Sequence, residues 1–272
     1  MDINIRLSNG LILRGLISSP GSHLQAGIIL VHGLGEHIGR YSLLIKKLND
    51  EGIALTAVDL PGHGRSDGKR GVIKSYSLIH EMIDTLCHEF QKTFPGVPLF
   101  LYGQSLGGGM VLEYLISAKP DLRGAVAMSP WLSLSFEPSR TKKILAGIMK
   151  SILPSLVQPS GLVADDLSHD RSAVEKYVRD PLVHDRISVS LFHNAVSAGR
   201  FTLENAASIQ IPVLLMHGSE DQITSPDGSR QVASKSNLAE IKIWEGGYHE
   251  LLNEPFCEEV YLYIISWIKN HL

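Results

Sequence analysis

Residues 97–111 read Val-Pro-Leu-Phe-Leu-Tyr-Gly-Gln-Ser-Leu-Gly-Gly-Gly-Met-Val, and the helically spaced Tyr114 and Leu115 follow. A short apolar run, Val97 to Tyr102, passes without a spacer into Gly103-Gln104-Ser105-Leu106-Gly107 and then into a helical pattern. This is G-x-S-x-G in its demanding context of strand, sharp turn and helix. Small flanking residues there let the serine sit strained above a sheet with its hydroxyl exposed. Ser105 is therefore the candidate nucleophile. The sequence carries its own control in Gly64-Arg65-Ser66-Asp67-Gly68, which matches the same pattern. That serine follows the strand ending near Asp59 only after Leu60-Pro61-Gly62-His63, and no helical period comes next, so Ser66 reads as a residue that organises a loop.

Working outward, Ile3, Ile5 and Leu7 alternate, break at Ser8-Asn9-Gly10 and resume through Leu11, Leu13 and Leu16, which predicts an antiparallel hairpin. Evenly apolar runs recur at Ala26 to Val31, Ile53 to Val58, Gly124 to Met128, Ile211 to His217 and Glu240 to Trp244. Runs of this kind suit strands buried on both faces, as in a parallel sheet covered by helices. Helices are expected over Arg40 to Asp50, Ser75 to Thr93, Gly107 to Lys119, Pro226 to Ser236 and Pro255 to Leu272, the two prolines standing in first turns. The class is α/β. The alternation lapses between Ser129 and Ile209, where no strand-like run occurs but Ile144, Leu145, Ile148, Met149, Ile152 and Leu153 form an amphipathic stretch. This predicts a helical cap, residues 131–207, inserted into a core made of 1–130 and 208–272.

With 44% hydrophobic and 19% charged residues in 272, the composition is that of a folded globule. The balance of 25 basic against 28 acidic residues, net charge -3, argues against nucleic-acid binding, which needs a concentrated basic surface. No apolar run approaches the ~20 residues that span a bilayer. Met1-Asp2-Ile3-Asn4 lacks the basic start of a secretory signal, so a cytoplasmic location is expected. Cys87 and Cys257 match no redox or metal spacing and read as packed thiols. His249-Glu250 is followed by Leu251, Leu252 and Asn253 in place of the H-E-x-x-H zinc pattern, and no metal is expected. Gly33 and Gly35 follow a strand, but G-x-G-x-x-G would need glycine at Ile38, so neither is a nucleotide cofactor.

A serine hydroxyl is a weak nucleophile unless a base takes its proton and a carboxylate orients the base. In open parallel sheets such groups lie just beyond the carboxyl ends of strands. Ile211 to His217 runs into Gly218-Ser219-Glu220-Asp221, and Glu240 to Trp244 into Glu245-Gly246-Gly247-Tyr248-His249. Asp221 and His249 are the expected acid and base, in the chain order serine, acid, histidine. Glu220 would point a different way from its neighbour, and Asp227 suits a helix start. His32, His37, His63 and His217 accompany glycine-rich turns and read as loop fasteners. Two N–H groups should face the charge that develops on the substrate oxygen. Leu106 N–H, at the start of its helix, and Leu34 N–H, in His32-Gly33-Leu34-Gly35, are the candidates.

The chain resembles the monoacylglycerol lipase and lysophospholipase group of α/β-hydrolases. The resemblance rests on His32-Gly33-Leu34-Gly35-Glu36-His37 with Arg40-Tyr41, Asp59 to Ser66 with Gly68, Gly103 to Gly108, Ser129-Pro130, Asp180-Pro181-Leu182, His217-Gly218 with Asp221, and Tyr248-His249. It implies an eight-stranded, mostly parallel sheet with helices on both faces and a cap over the active site. It implies cofactor-free ester hydrolysis with Ser105, Asp221 and His249 as the triad, and Arg40 and Tyr177 at the polar end of the substrate. Leu252 stands where some animal members have a second histidine, and Gln104 where the group usually has histidine before the serine. The expected substrate is a single-chain acyl glycerol; a lysophospholipase, a generic carboxylesterase and a non-catalytic binding protein are the alternatives. Trp131, Leu132, Leu134, Phe136, Ile144, Ile148, Met149, Leu153 and Leu156 are candidates for the acyl lining, and an apolar cap surface would permit transient contact with a membrane or micelle. The sequence leaves the oligomeric state open.

Overall fold

The computed structural model describes residues 1–21, 23–136 and 152–272. The hairpin is β1 (Asp2–Arg6) and β2 (Ile12–Ser18), joined antiparallel with Ile5 opposite Leu13. Then come β3 (Ala26–Val31), β4 (Ile53–Val58), β5 (Leu99–Gln104) and β6 (Gly124–Met128). A separate two-stranded ribbon pairs β7 (Val157–Pro159) with β8 (Arg186–Ser188), and the chain then returns to the main sheet as β9 (Val213–Gly218) and β10 (Ala239–Trp244). The eight strands lie in the order β1-β2-β4-β3-β5-β6-β9-β10. Only the contacts of β2 with β1 and β4 are antiparallel.

Strands that are buried on both faces divide their side chains between two cores. Ile29, Val31, Leu99 and Leu101 point to one face, where they meet α2 (Ser77–Thr93) and α3 (Leu106–Ala118). Ile28, Leu30, Phe100 and Tyr102 point to the other, under α1 (Ser42–Asp50). Between β6 and β9 lie α4 (Arg171–Arg179) and α5 (Val189–Asn205). The C-terminal part has α6 (Pro226–Lys235) and α7 (Cys257–Asn270), on the α3 and α1 faces respectively. Ser225 caps α6 by accepting from Asp227 N–H, and Pro226 takes the first turn, where a missing N–H costs nothing. β4 and β5 flank β3 on opposite sides, so the loops leaving β3 and β5 diverge and open a crevice at the carboxyl ends of the strands.

Two expectations shift. The region between Ser129 and Ile209 contains β7 and β8, each only three residues long and too short to show a period. The final helix begins at Cys257, two residues after Pro255. Within 131–207, Leu191 and Ala195 of α5 join the same core as α3, so this helix packs on the sheet domain. Ile144, Leu145, Ile148 and Met149 lie outside the described residues.

The turn between β5 and α3 depends on what is absent at position 107. A Cβ there would overlap the Val31 carbonyl oxygen and stand 2.6 Å from that of His32, both backbone atoms of the neighbouring strand and loop. Gly107→Ala should therefore lower the urea midpoint by the equivalent of about 3 kcal/mol or more. A midpoint within experimental error of the parent would show that α3 can move away from β3.

Candidate active site

Ser105 sits between β5 and α3 at φ +55° and ψ −115°, a conformation that side chains rarely adopt. Such strain costs about 1–3 kcal/mol and persists only when the surroundings over-determine it. Here Ser105 N–H donates to the Met128 carbonyl at 2.9 Å, and its own carbonyl accepts from Trp131 N–H at 2.8 Å and Gly109 N–H at 3.0 Å. The side chain is left facing the crevice, where its Oγ lies 2.8 Å from His249 Nε2.

His249 Nδ1 lies 2.7 Å from Asp221 Oδ2. Asp221 follows β9 in a tight turn that its carboxylate holds together, Oδ1 accepting from Ile223 N–H at 2.8 Å and Thr224 N–H at 3.0 Å. Oδ2 also accepts from the Thr224 hydroxyl at 2.9 Å and faces His217 Nε2 at 3.1 Å. Burial alone would raise the carboxyl group's pKa. The adjoining His249 and His217 and their hydrogen bonds hold it well below the ordinary carboxylate range. For His249 burial acts downward, and the Asp221 charge and hydrogen bond, joined by the charges of Glu250 and Glu36, together outweigh it and leave the imidazole above its usual 6.5. Glu220 is exposed, and Asp227 pairs with Arg230 at 3.0 Å on the surface.

The loop after β3 lies directly against Ser105, since a Cβ on Gly33 would stand 3.3 Å from the Ser105 Cβ. Gly33 N–H is taken by Glu36 Oε1 at 2.6 Å, an oxygen that also accepts the Tyr41 hydroxyl at 2.7 Å. Leu34 lines the crevice, and Leu106 begins α3. Arg40 donates to Glu36 Oε2 at 2.7 Å and forks onto both oxygens of Glu250 at 2.7 and 2.6 Å. Its guanidinium carbon stands 4.8 Å from the centre of the Tyr177 ring. Three of its five N–H groups are thus committed to carboxylates. One half-buried cation thereby joins the β3 loop, the histidine loop and α4.

The segment between β6 and β9 is fastened to the same loops. Glu250 N–H donates to the Leu167 carbonyl at 2.8 Å, Ser168 Oγ to that of Asn253 at 2.8 Å, and the His169 ring lies 3.7 Å from that of Tyr248. On the other side His184 N–H donates to the Gly35 carbonyl at 2.8 Å, and His37 Nε2 meets Asp180 Oδ2 at 2.9 Å. Beneath this cover is a solvent-connected cleft that reaches Ser105 and His249. Trp131, Leu134 and Phe136 line it as expected, together with Leu167, Ile187 and Phe192. Leu132 instead packs beside Gly199 and Gly228, and Leu153 and Leu156 are exposed away from the cleft. Ile144, Ile148 and Met149 are not described.

The other histidines divide. His32 Nε2 accepts from Leu60 N–H at 2.8 Å, and His63 Nδ1 lies 3.0 Å from the Pro61 carbonyl, so both fasten loops. Ser66 Oγ donates to the Asp59 carbonyl at 2.5 Å and accepts from Arg14 N–H at 2.9 Å, as a loop organiser should. His217, by contrast, reaches Asp221. Sequence reasoning passed over it, along with Thr224, Glu36 and Glu250. The available signal was position, since Glu36 follows the β3 loop and Glu250 follows His249.

Residues 22–256 match the Hydrolase_4 family, described as serine aminopeptidase, S33. An uncharacterised abhydrolase domain-containing protein of Dictyostelium discoideum is 31% identical over 251 residues; these are 91% of this chain, which spans 26% of that longer protein. The monoacylglycerol lipase of Mycolicibacterium smegmatis is 29% identical over 257 residues, 93% of this chain and 91% of the lipase. The crystal structure of Paleococcus ferrophilus monoacylglycerol lipase superimposes with a TM-score of 0.87 at 37% identity, over 95% of this chain and 99% of that one.

The electrostatics of His249 can be measured without a substrate. In a ¹⁵N-histidine NMR titration its pKa should lie above about 6.5, the unperturbed value. Asp221→Asn removes the charge that raises it and leaves the burial that lowers it, so the titration should move below that value. A pKa that does not fall in the variant would mean that another group charges the imidazole.

Proposed function

Because this chain belongs to the serine aminopeptidase S33 family of α/β-hydrolases, we propose that it is a serine hydrolase of carboxylic esters, acting on single-chain acyl lipids and foremost on monoacylglycerol. The observation that carries the reading is the unbroken contact from Ser105 through His249 to Asp221 at the floor of an apolar cleft. In this reading His249 Nε2 takes the Ser105 proton as Oγ attacks the ester carbonyl, while Asp221 fixes Nδ1–H and stabilises the imidazolium. Leu34 N–H and Leu106 N–H stabilise the oxyanion, each such donor being worth roughly 3 to 4 kcal/mol. Collapse returns the proton from His249 to the departing alcohol oxygen and leaves an acyl-serine. Water, deprotonated by the same histidine, releases the fatty acid and restores Ser105.

The residues around the serine support an uncharged head group. Arg40 lines the cleft but is neutralised by Glu36 and Glu250, and Asp166 adds another carboxylate, so a phosphate would meet net negative charge. This favours monoacylglycerol over a lysophospholipid. Tyr177, stacked on Arg40 near the β3 loop, supplies a hydroxyl for the glycerol end, with Arg40 holding the surroundings in place. The apolar wall supports the acyl chain, each buried methylene contributing up to ~0.8 kcal/mol. We read residues 131–207 as the covering insertion. Exposed Phe136 and Val163 beside the cleft support transient contact with a membrane or micelle. Among the described residues no helix is long and apolar enough to cross a bilayer.

Ser105→Ala should abolish labelling by a fluorophosphonate probe and lower kcat by on the order of 10⁶, whereas Ser66→Ala should keep most activity. The reverse pattern would move the nucleophile to the second motif.

If the cover encloses a single acyl chain, monoacylglycerol should be cleaved at least tenfold faster than triacylglycerol, a difference of ~1.4 kcal/mol in transition-state binding. Tyr177→Phe should slow monoacylglycerol turnover about three- to tenfold and spare p-nitrophenyl esters, which have no glycerol. Equal loss on both would make Tyr177 a packing residue, and equal rates on mono- and triacylglycerol would mark an open lipase site.

A further inference from the structure

Beneath the acid of the candidate triad lies a second histidine. His217, in β9, has a fully buried side chain, as has Asp221 four residues on. Its Nε2 is 3.1 Å from Asp221 Oδ2 and 3.0 Å from the Thr224 carbonyl oxygen. Both are acceptors only, and the Thr224 hydroxyl, 3.3 Å from Nε2, gives its own hydrogen to Asp221 Oδ2, so Nε2 carries the hydrogen. Its Nδ1 lies 2.8 Å from the hydroxyl of Ser229, a buried residue of α6, which can donate to it. The neutral Nε2–H tautomer therefore satisfies both ring nitrogens.

We propose that His217 is a positioning residue that donates to Asp221 Oδ2, tempers the carboxylate's pull on His249 and so helps to set the pH at which Ser105 is activated. The inference rests on the reading of Ser105, His249 and Asp221 as the triad. Oδ2 is shared: it receives His249 at 2.7 Å, the Thr224 hydroxyl at 2.9 Å and His217 at 3.1 Å. Each donor draws charge from the oxygen that must stabilise the imidazolium. A donor lost from His217 leaves a more basic carboxylate, which holds the His249 proton more tightly. Other charged groups face His249 as well. Glu250 on its own loop and Glu36 after β3 also raise it, Arg40 is bound between those two carboxylates, and Asp166 lines the cleft from the cover. None of these lies behind Asp221. His217 alone among the described residues brings a second imidazole onto the acid.

The test is the pH dependence of Ser105 phosphonylation by a fluorophosphonate, which requires His249 unprotonated and needs no lipid. In His217→Leu and His217→Asn, which have no donor at the position of Nε2, the rising limb should move up by roughly half a pH unit or more. In His217→Gln, whose amide can place an N–H there, it should stay with the parent. A limb unmoved in a folded Leu or Asn variant, even with a lowered Tm, would reduce His217 to packing and overturn the proposal. If neither variant folds, ¹⁵N-histidine NMR of the parent decides. Protonated Nε2 and bare Nδ1 at His217 are expected, and the opposite tautomer refutes the donation to Asp221. Failure of the underlying reading is separate, since a Ser105→Ala protein that is still labelled would remove the triad whatever His217 does.

Discussion

The contact between the first turn of α3 and the end of β3 is the constraint from which the site follows. Helix and strand approach closely enough that position 107 has no room for a Cβ. That approach forces the chain to reverse within a single residue after β5, and Ser105 takes the left-handed conformation the reversal requires. β3 and β5 are hydrogen-bonded neighbours, with Val31 opposite Gly103. The loop bearing Leu34 and the turn bearing Ser105 therefore start from adjacent strand ends before they diverge. The strain at Ser105 and the order of the strands are one geometric fact seen at two scales.

A second layer of organisation is electrostatic. Glu36, Asp221, His249 and Glu250 are all buried, and removing such groups from water costs several kcal/mol each unless their hydrogen-bonding capacity is filled. Here it is filled densely. Glu36 accepts from backbone, phenol and guanidinium; Glu250 receives the Arg40 fork and Asn253 Nδ2 at 2.7 Å; Asp221 receives backbone, hydroxyl and imidazole donors. Because several of these partners come from different loops, the requirement for complete satisfaction fixes the loops relative to one another. The charges also tune one another, Asp221 holding His249 above its ordinary pKa and the imidazoles holding Asp221 below its own.

Much of the fold was legible because parallel strands buried on both faces and amphipathic helices leave strong periodic signals. The strands at 26–31, 53–58 and 124–128 coincide with the apolar runs, and Ser105, Asp221 and His249 meet although far apart in the chain. Strand-end logic located them because it uses chain order alone. What escaped was what chain order does not encode. β7 and β8 are three residues each, too short for a period of two to register. Arg40 was legible as important through resemblance, but its saturation by two carboxylates 4 and 210 residues away is a matter of packing. His217 looked like one more histidine at a glycine turn. Only the fold turns its ring toward an acid that another histidine already occupies.

The turn at 164–170 is bonded to 250–253 and stacked on Tyr248, while the stretch from Tyr177 to His184 is bonded to the loop after β3. The segment that lines the cleft is thus stitched both to the loop that carries His249 and to the loop after β3 that lies against Ser105. This limits recombination between relatives. A chimera that borrows its cover from another parent must also inherit residues 248–254 and the 33–40 loop, because a cover from elsewhere brings the wrong side chains against His37, Arg40, Tyr248 and Glu254. The natural unit of exchange in this protein is discontinuous, three stretches of sequence that travel together.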